Sequence, residues 1–462
     1  MADEMDKSGR GERSLARTRQ RKLRLWHIGI GLLCLAVAGL LIMRWHWRAQ
    51  FQRRIEAIRV AGFPVTPQEL DTWYPWPASG ENAASWITGA ASYCWKLPQE
   101  DSRRLERIVG RGDDRPCPTE PLAADLRELL ERYIQTSSQA LKLLHEAAAV
   151  AECRFPIDLS QGRATPLTHL SDVREGCLRL CLEAVRCVEH GDPDGAAGAL
   201  EASLHIARSL DREPIPVSHM VRTWGPVWTA SVLERALNRV VLADGQLASL
   251  YRDLCDIHAT EGALRAYAGH RCMSLTFFEK PQAVDRRFFG KLPPVALREV
   301  YRALGLSARE GTIFLDYMDE CLRITRLPPW QRPGDVEALD AGLRGRRSIF
   351  LRELTQTAMM IRREVQSMAQ VEVAATAVAV QRYRLARREL PETLDGLVPV
   401  YLAAVPADPF DGAPLRYRRT DRGFVVYSVG EDGQDDGGTG YRPAAGAKPD
   451  ASAYDITFIV ER

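Results

Sequence analysis

Sixteen residues from Ile28 to Met43 are apolar or glycine without interruption, flanked by Leu25 and Trp26 on one side and by Trp45 and Trp47 on the other. At 1.5 Å per residue, a helix from Trp26 to Trp45 spans roughly 28 Å, the thickness of a bilayer's hydrocarbon. The pattern predicts a transmembrane helix over 25–47 with tryptophan at both interfaces. Ala36-Val37-Ala38 has the small-residue spacing of a signal-peptidase site. It lies inside the apolar run with no polar region before it, so an uncleaved anchor is the expected state.

Past the span the period becomes helical. Thr66-Pro67-Gln68-Glu69 reads as an N-cap, a proline at the first helical position and a capping glutamate. Leu122, Leu126, Leu129, Leu130 and Tyr133 form one apolar stripe, and Leu141, Leu144 and Ala148 continue a comparable one. Cys177, Cys181, Ala184 and Val188 form another, closed by Gly191-Asp192-Pro193. Ala196, Leu200, Leu204 and Ala207 then open the next helix, which predicts a helical hairpin. Val232, Leu233, Ala236, Leu237, Val240 and Val241 supply a further buried face. A tetratricopeptide-like period cannot be followed beyond one hairpin, so the pattern predicts an irregular helical bundle or a short helical-hairpin array.

Near Val371 the pattern changes twice. Ala374 to Val380 is almost continuously apolar, as in a helix buried on most sides, and turns polar at Gln381-Arg382-Tyr383-Arg384. Leu390-Pro391-Glu392-Thr393-Leu394 then predicts a short helix. Leu415 and Tyr417 alternate with Arg416 and Arg418 as in a half-buried strand, Thr420 to Gly423 makes a turn, and Phe424 to Ser428 and Ile456 to Val460 are further strands. The expected fold is mainly α: a basic tail over 1–24, the transmembrane helix over 25–47, a helical domain over 48–347, and over 348–462 a long helix with a small α+β module carrying an antiparallel sheet.

Composition narrows the function. With 62 Lys+Arg against 60 Asp+Glu the net charge is +2, which provides no field for nonspecific nucleic-acid binding. Ten cysteines include no CxxC pair, which argues against a zinc ribbon or a thioredoxin-type site. Cys177 and Cys181 fall on an apolar face and read as core; Cys94 and Cys117 flank a loop and form a bridge only if the domain is exported. No H-E-x-x-H, G-x-S-x-G, Walker loop or strand-linked G-x-G-x-x-G occurs. A non-enzymatic interaction protein is therefore the default expectation.

The alternative is an envelope hydrolase using Arg154, Asp158 and His169, which place a cation, a carboxylate and an imidazole close together in the chain. A polar cluster bracing a loop explains the same trio and is the favoured reading. Trp73-Tyr74-Pro75-Trp76-Pro77 reads as packing between the anchor and the first helices rather than as a ligand platform. Arg10, Arg13, Arg17, Arg19, Arg21, Lys22 and Arg24 stand before the span, against Arg44, Arg48, Arg53, Arg54 and Arg59 just after it. This bias favours a cytoplasmic N-terminus with the bulk of the protein outside and protein partners in the envelope.

The residues Gln381-Arg382-Tyr383-Arg384, Leu390-Pro391, Asp408-Pro409-Phe410-Asp411-Gly412, Leu415-Arg416-Tyr417, Val426-Tyr427-Ser428-Val429-Gly430, Asp432-Gly433, Gly437-Gly438 and Asp455-Ile456 occur in an order that resembles the soluble part of the major pseudopilin of type II secretion. The resemblance implies a helix packed on a small antiparallel sheet and a Gly/Asp loop that binds calcium, with Asp432 and Asp455 at the positions matching the family's ligands. Asp435 and Asp436 join them as neighbouring hard oxygen donors. The chain departs from the family in two places. Residues from Tyr441 to Tyr454 lengthen the stretch before Asp455, and Arg24-Leu25-Trp26-His27 stands where a prepilin-peptidase site would be. Assembly into a pilus by the usual route is not expected. The whole chain also resembles membrane-anchored helical proteins of planctomycete-type bacteria that carry the same ending, which implies an architecture and no activity.

Overall fold

The structure, a computed structural model, describes residues 2–93, 97–110, 115–256, 260–281, 294–343, 351, 355, 357–439 and 454–462, with side chains from Trp26 onward. The chain is mainly helical, 68%, with one helix near the N-terminus apolar enough to cross a membrane and a three-stranded antiparallel sheet at the C-terminus. Contacts divide it into two units. One comprises 1–62, 275–315 and 348–351; the other comprises 63–274, 316–347 and 352–462. Cys94 and most of the stretch from Tyr441 to Tyr454 lie outside the described residues.

In chain order the helices are α1 (Ala2–Val60), α2 (Pro67–Trp73), α3 (Ala84–Ala91), α4 (Gln99–Val109), α5 (Ala124–Thr136), α6 (Ser138–Ala148), α7 (His169–Glu189), α8 (Pro193–Arg208), α9 (Pro216–Arg239), α10 (Asp244–Asp256), α11 (Thr260–Glu279), α12 (Val295–Ala303), α13 (Leu306–Thr325), α14 (Arg332–Leu343) and α15 (Thr357–Arg387). The strands are β1 (Arg416–Arg419), β2 (Gly423–Ser428) and β3 (Ile456–Glu461).

In the first unit, α1 continues without a break past the apolar run, whose residues are all exposed in the isolated chain. Below that run Phe51 is buried and packs edge-to-face on Phe278, which in turn stacks on Phe314. Gly311 is what lets α13 come this close. A Cβ there would lie 2.6 Å from the Phe51 ring, inside any real contact distance.

The second unit is built on α7, α8 and α9, which pack against one another, with α10 and α15 completing the layer. The predicted hairpin is present. Gly191 takes φ +71, Asp192 caps α8 by accepting from the Gly195 amide at 3.0 Å, and Pro193 is the first helical residue. Cys177, Cys181, Ala184 and Val188 are all core residues. The predicted cap of α2 also forms: Thr66 Oγ1 accepts from Glu69 N at 3.2 Å, and the Glu69 carboxylate accepts from Val65 N at 2.8 Å. Two expectations are displaced. The stripe from Leu122 to Ala148 is split at Ser137 into α5 and α6, and Val241 is exposed because α9 ends at Arg239. Arg235, deep in α9, donates to Glu189 at 3.2 Å and to the carbonyls of Glu120, Pro116 and Cys117, which ties the 116–120 turn to the bundle.

In the C-terminal part, Val371 and Val373 to Val380 of α15 are buried, and the helix packs on β2 and β3 as well as on α9 and α10. The sheet order is β1-β2-β3, with Tyr417 opposite Val426 and Phe424 opposite Val460. The short helix expected at Pro391 forms three residues later, as a 3₁₀ turn over Leu394–Leu397. The free edge of β3 is covered by side chains of α9. Asn238 Nδ2 donates to the Ile459 carbonyl at 2.7 Å, Glu234 accepts from Ile459 N at 2.8 Å, and Asn238 Oδ1 accepts from Glu461 N at 2.7 Å. An edge strand satisfied this way is closed to pairing with another chain.

Candidate functional site

Arg154, Asp158 and His169 have three separate roles. Arg154 is buried, with Nε donating to the Tyr74 carbonyl at 2.7 Å and Nη2 to Asp71 at 3.4 Å. Its guanidinium lies 4.1 Å from the Trp76 ring centre and 4.7 Å from that of Tyr74, a stacked arrangement that a desolvated arginine favours. The Tyr74 hydroxyl accepts from Phe155 N at 3.1 Å, and burial pushes its pKa above the ordinary tyrosine value. The aromatic run is therefore a clamp on Arg154.

Asp158 is exposed and caps the 3₁₀ turn Leu159–Ala164. Its carboxylate accepts from Ser160 N at 3.0 Å and from Gln161 Nε2 at 2.9 Å, and these bonds, with that of the Ser160 hydroxyl first, hold its pKa below the usual value. His169, at the start of α7, is buried under Phe155 at 4.4 Å between ring centres, and its Nε2 lies 3.0 Å from Glu213. Glu213 also accepts from the Ser218 hydroxyl. With the carboxylate between the imidazole and the hydroxyl, the Ser218 hydroxyl does not meet the imidazole that serves as base in a Ser-His-Asp triad. Burial, followed by the Glu213 charge, pushes the neighbouring Cys153 thiol up to about 12, which makes it a poor nucleophile at neutral pH. The three residues do not converge on an open cleft.

The acidic loop is organised by a carboxylate outside it. Asp408 is fully buried and accepts from Phe410 N at 3.0 Å, Ser428 Oγ at 2.7 Å, Val429 N at 2.9 Å and Arg416 Nη1 at 2.6 Å. Arg416 also pairs with Asp411 and lies 3.8 Å from Asp435. Asp432 and Asp435 cap their own turns, accepting from Gln434 N at 3.1 Å and Gly437 N at 2.9 Å, while Asp436 is exposed. Asp455 is buried and takes the Gly438 amide on Oδ2 at 2.7 Å, while its Oδ1 meets no well-aligned donor among the described residues. Burial raises the Asp455 pKa, with Asp435 and Asp436 adding repulsion. Among the described residues no three His, Cys, Asp or Glu side chains gather as a metal-binding group.

A cleft of about 570 Å³ opens along α5, α6 and α7, lined by Glu131, Lys142, His145, Glu183 and Arg186 among others. In its wall His145 pairs with Glu183 at 2.8 Å and Arg186 with Glu131 at 2.9 Å, and His190, beside the cleft, reaches the same Glu131. Glu213, Asp71, Glu234, Asn238 and Asp408 were not expected from the sequence to be organising groups. Of these, only Asp408 stood in a motif singled out in the sequence, Asp408-Pro409-Phe410-Asp411-Gly412.

Comparison with family models, with curated proteins and with solved structures gives no match.

Proposed function

We propose that this chain is a single-pass, membrane-anchored scaffold, with its N-terminus in the cytoplasm and its body outside the membrane, where it engages other envelope proteins through its helical surface and a pseudopilin-like C-terminal module. The observation that carries this reading is the fate of the two groups best suited to chemistry. Arg154 is held by Tyr74, Trp76 and Asp71, and His169 by Glu213 and Phe155, and both Arg154 and His169 are buried. The hydrolase alternative requires Arg154, Asp158 and His169 to face one cleft, and this geometry gives it no support. The C-terminal order of a long helix followed by three antiparallel strands is in keeping with the resemblance to pseudopilins.

Calcium at the 431–438 loop belongs to the same proposal. Asp455 is a buried carboxylate whose Oδ1 has no well-aligned donor among the described residues, close to glycines with positive φ at 437 and 438, and Asp435 and Asp436 act on it electrostatically. Those residues fit an oxygen-seeking cation whose charge would relieve the repulsion. Asp432, which caps its own turn by accepting from Gln434 N, joins the set through the resemblance to pseudopilins.

Cross-linking in intact native membranes, followed by purification of the tagged full chain, tests the scaffold. A discrete adduct of constant composition is expected. Recovery of the chain alone at every cross-linker concentration contradicts the proposal.

A further inference from the structure

In α12 the usual arrangement of an amphipathic helix is inverted. Leu297, Val300 and Leu304, spaced along one face, are 53%, 51% and 40% exposed, while Arg298 on the opposite side is only 3% exposed. Arg298 Nη1 donates inward to the Pro281 carbonyl at 2.7 Å, and the Tyr301 hydroxyl donates to Glu310 at 2.7 Å. Ala296 and Ala303 extend the outward apolar face. A helix that seats Arg298 and Tyr301 against the protein and turns its aliphatic side chains outward presents an apolar surface with no partner among the described residues.

Its position within the first unit indicates what covers that surface. The residue closing α12 is Gly305, at φ +79, and a Cβ there would lie 3.0 Å from the Arg44 backbone. Only glycine allows this turn to press against α1 immediately after the apolar run ends at Met43. Trp45 is exposed beside it, and Arg309 stacks over Trp47 at 5.6 Å. Arg44 and Arg302 both act on Arg48 electrostatically, so three guanidinium groups gather at this level, with Arg302 also donating to Glu299 at 3.2 Å. Tryptophan and clustered arginine at the end of an apolar span are the groups found at the headgroup layer of a membrane.

We propose that α12 is an interfacial helix, with Leu297, Val300 and Leu304 immersed in the bilayer surface beside the anchor and Arg44, Arg48 and Arg302 facing anionic phospholipid headgroups. The inference rests on the reading of α1 as a membrane anchor. A helix lying in the interface is held by its apolar face together with the attraction of basic residues for anionic lipid. The anchor with α12 beside it forms a two-point contact that restricts how the first unit tilts and rotates on the membrane.

The test uses the full chain reconstituted in vesicles of phosphatidylcholine with phosphatidylglycerol, and in vesicles of phosphatidylcholine alone. A benzophenone amino acid replaces Leu35, Leu297, Leu304 or Val60, one at a time, and photo-adducts are identified by mass. Leu35 lies within the span; Val60 is on the same helix, about 25 Å beyond Met43 at 1.5 Å per residue. Phospholipid adducts are expected at Leu35, Leu297 and Leu304 at about tenfold or more the Val60 yield, with the Leu297 and Leu304 yields falling when phosphatidylglycerol is omitted. Lipid adducts at Leu35 with none at Leu297 and Leu304 overturn the interfacial helix and leave the anchor standing. Adducts to a second copy of the chain at those two positions overturn it in favour of a dimer face. Loss of lipid adducts at Leu35 as well overturns the anchor and the inference together.

Discussion

Replacing Asp408 with alanine removes the group that closes the C-terminal module. Its carboxylate holds the Val429 amide at 2.9 Å, the Ser428 hydroxyl at 2.7 Å and Arg416 at 2.6 Å, all without water access on the carboxylate side. Deleting one partner of a buried charge pair costs about 3–5 kcal/mol, and an orphaned buried amide about 1–3 kcal/mol. Arg416 keeps Asp411, and a fifth of its side chain is exposed, so the sum falls at the lower end, about 3–5 kcal/mol in total. At 1.4 kcal/mol per tenfold, this raises local opening by about two to three and a half orders of magnitude. Hydrogen exchange of the micelle-solubilised full chain reads it directly. Peptides covering β2 and Val429 are expected to exchange faster by that factor, while peptides from α7 serve as the internal reference. Asp408→Asn, which keeps an acceptor but loses the charge, should fall between. An Asp408→Ala effect smaller than about fivefold, roughly 1 kcal/mol, would refute the view that this carboxylate organises the loop.

Asn238→Ala removes both bonds to β3 from one side chain. Exchange at Glu461 should rise about tenfold with β1 unaffected, and an unchanged rate would mean that the strand edge is held elsewhere. His145 and His205 have raised pKa values, His145 chiefly from its bond to Glu183 and His205 from Asp253. A raised folded-state value stabilises the protonated form, so this contribution is complete below about pH 6.5 and fades as pH rises through the folded values. Both rings are more than a third exposed, so each contributes only a few tenths of a kcal/mol. His145→Gln with His205→Gln should flatten the fall in urea midpoint between about pH 6 and 8, and an unaltered slope removes these pairs from the account. Calcium binding at the acidic loop should raise full-chain stability by about 2.7 kcal/mol at a hundredfold excess over Kd. Melts that coincide in millimolar calcium and in chelator exclude the site, and a shift that persists in Asp432→Ala with Asp455→Ala moves it to other ligands.

Helices that bury one face were legible in the sequence because a period repeats inside a single element. The stripe from Cys177 to Val188, the Gly191-Asp192-Pro193 corner and the cap at Thr66 are local patterns, and the structure contains all three. Boundaries were less legible. Val241 continues the apolar spacing of Val240, yet α9 stops at Arg239, and only the tertiary environment decides that. Pairings across long sequence separations leave no periodic trace: Arg154 meets Tyr74 and Asp71 some 80 residues away, and His169 meets Glu213 44 residues away. The spacing of Leu297, Val300 and Leu304 is that of a core face. That it points outward follows only from where Arg298 and Gly305 place the helix.

The central claim is an anchor in the membrane with the body of the protein beyond it. Alkaline phosphatase and a fluorescent protein, each fused after Arg462 and expressed separately in a bacterial host, measure which side the C-terminus occupies. The account predicts active phosphatase and a dark fluorescent fusion, because the basic residues before the span outnumber those just after it. A bright fluorescent fusion with inactive phosphatase would contradict it and place the body of the chain in the cytoplasm.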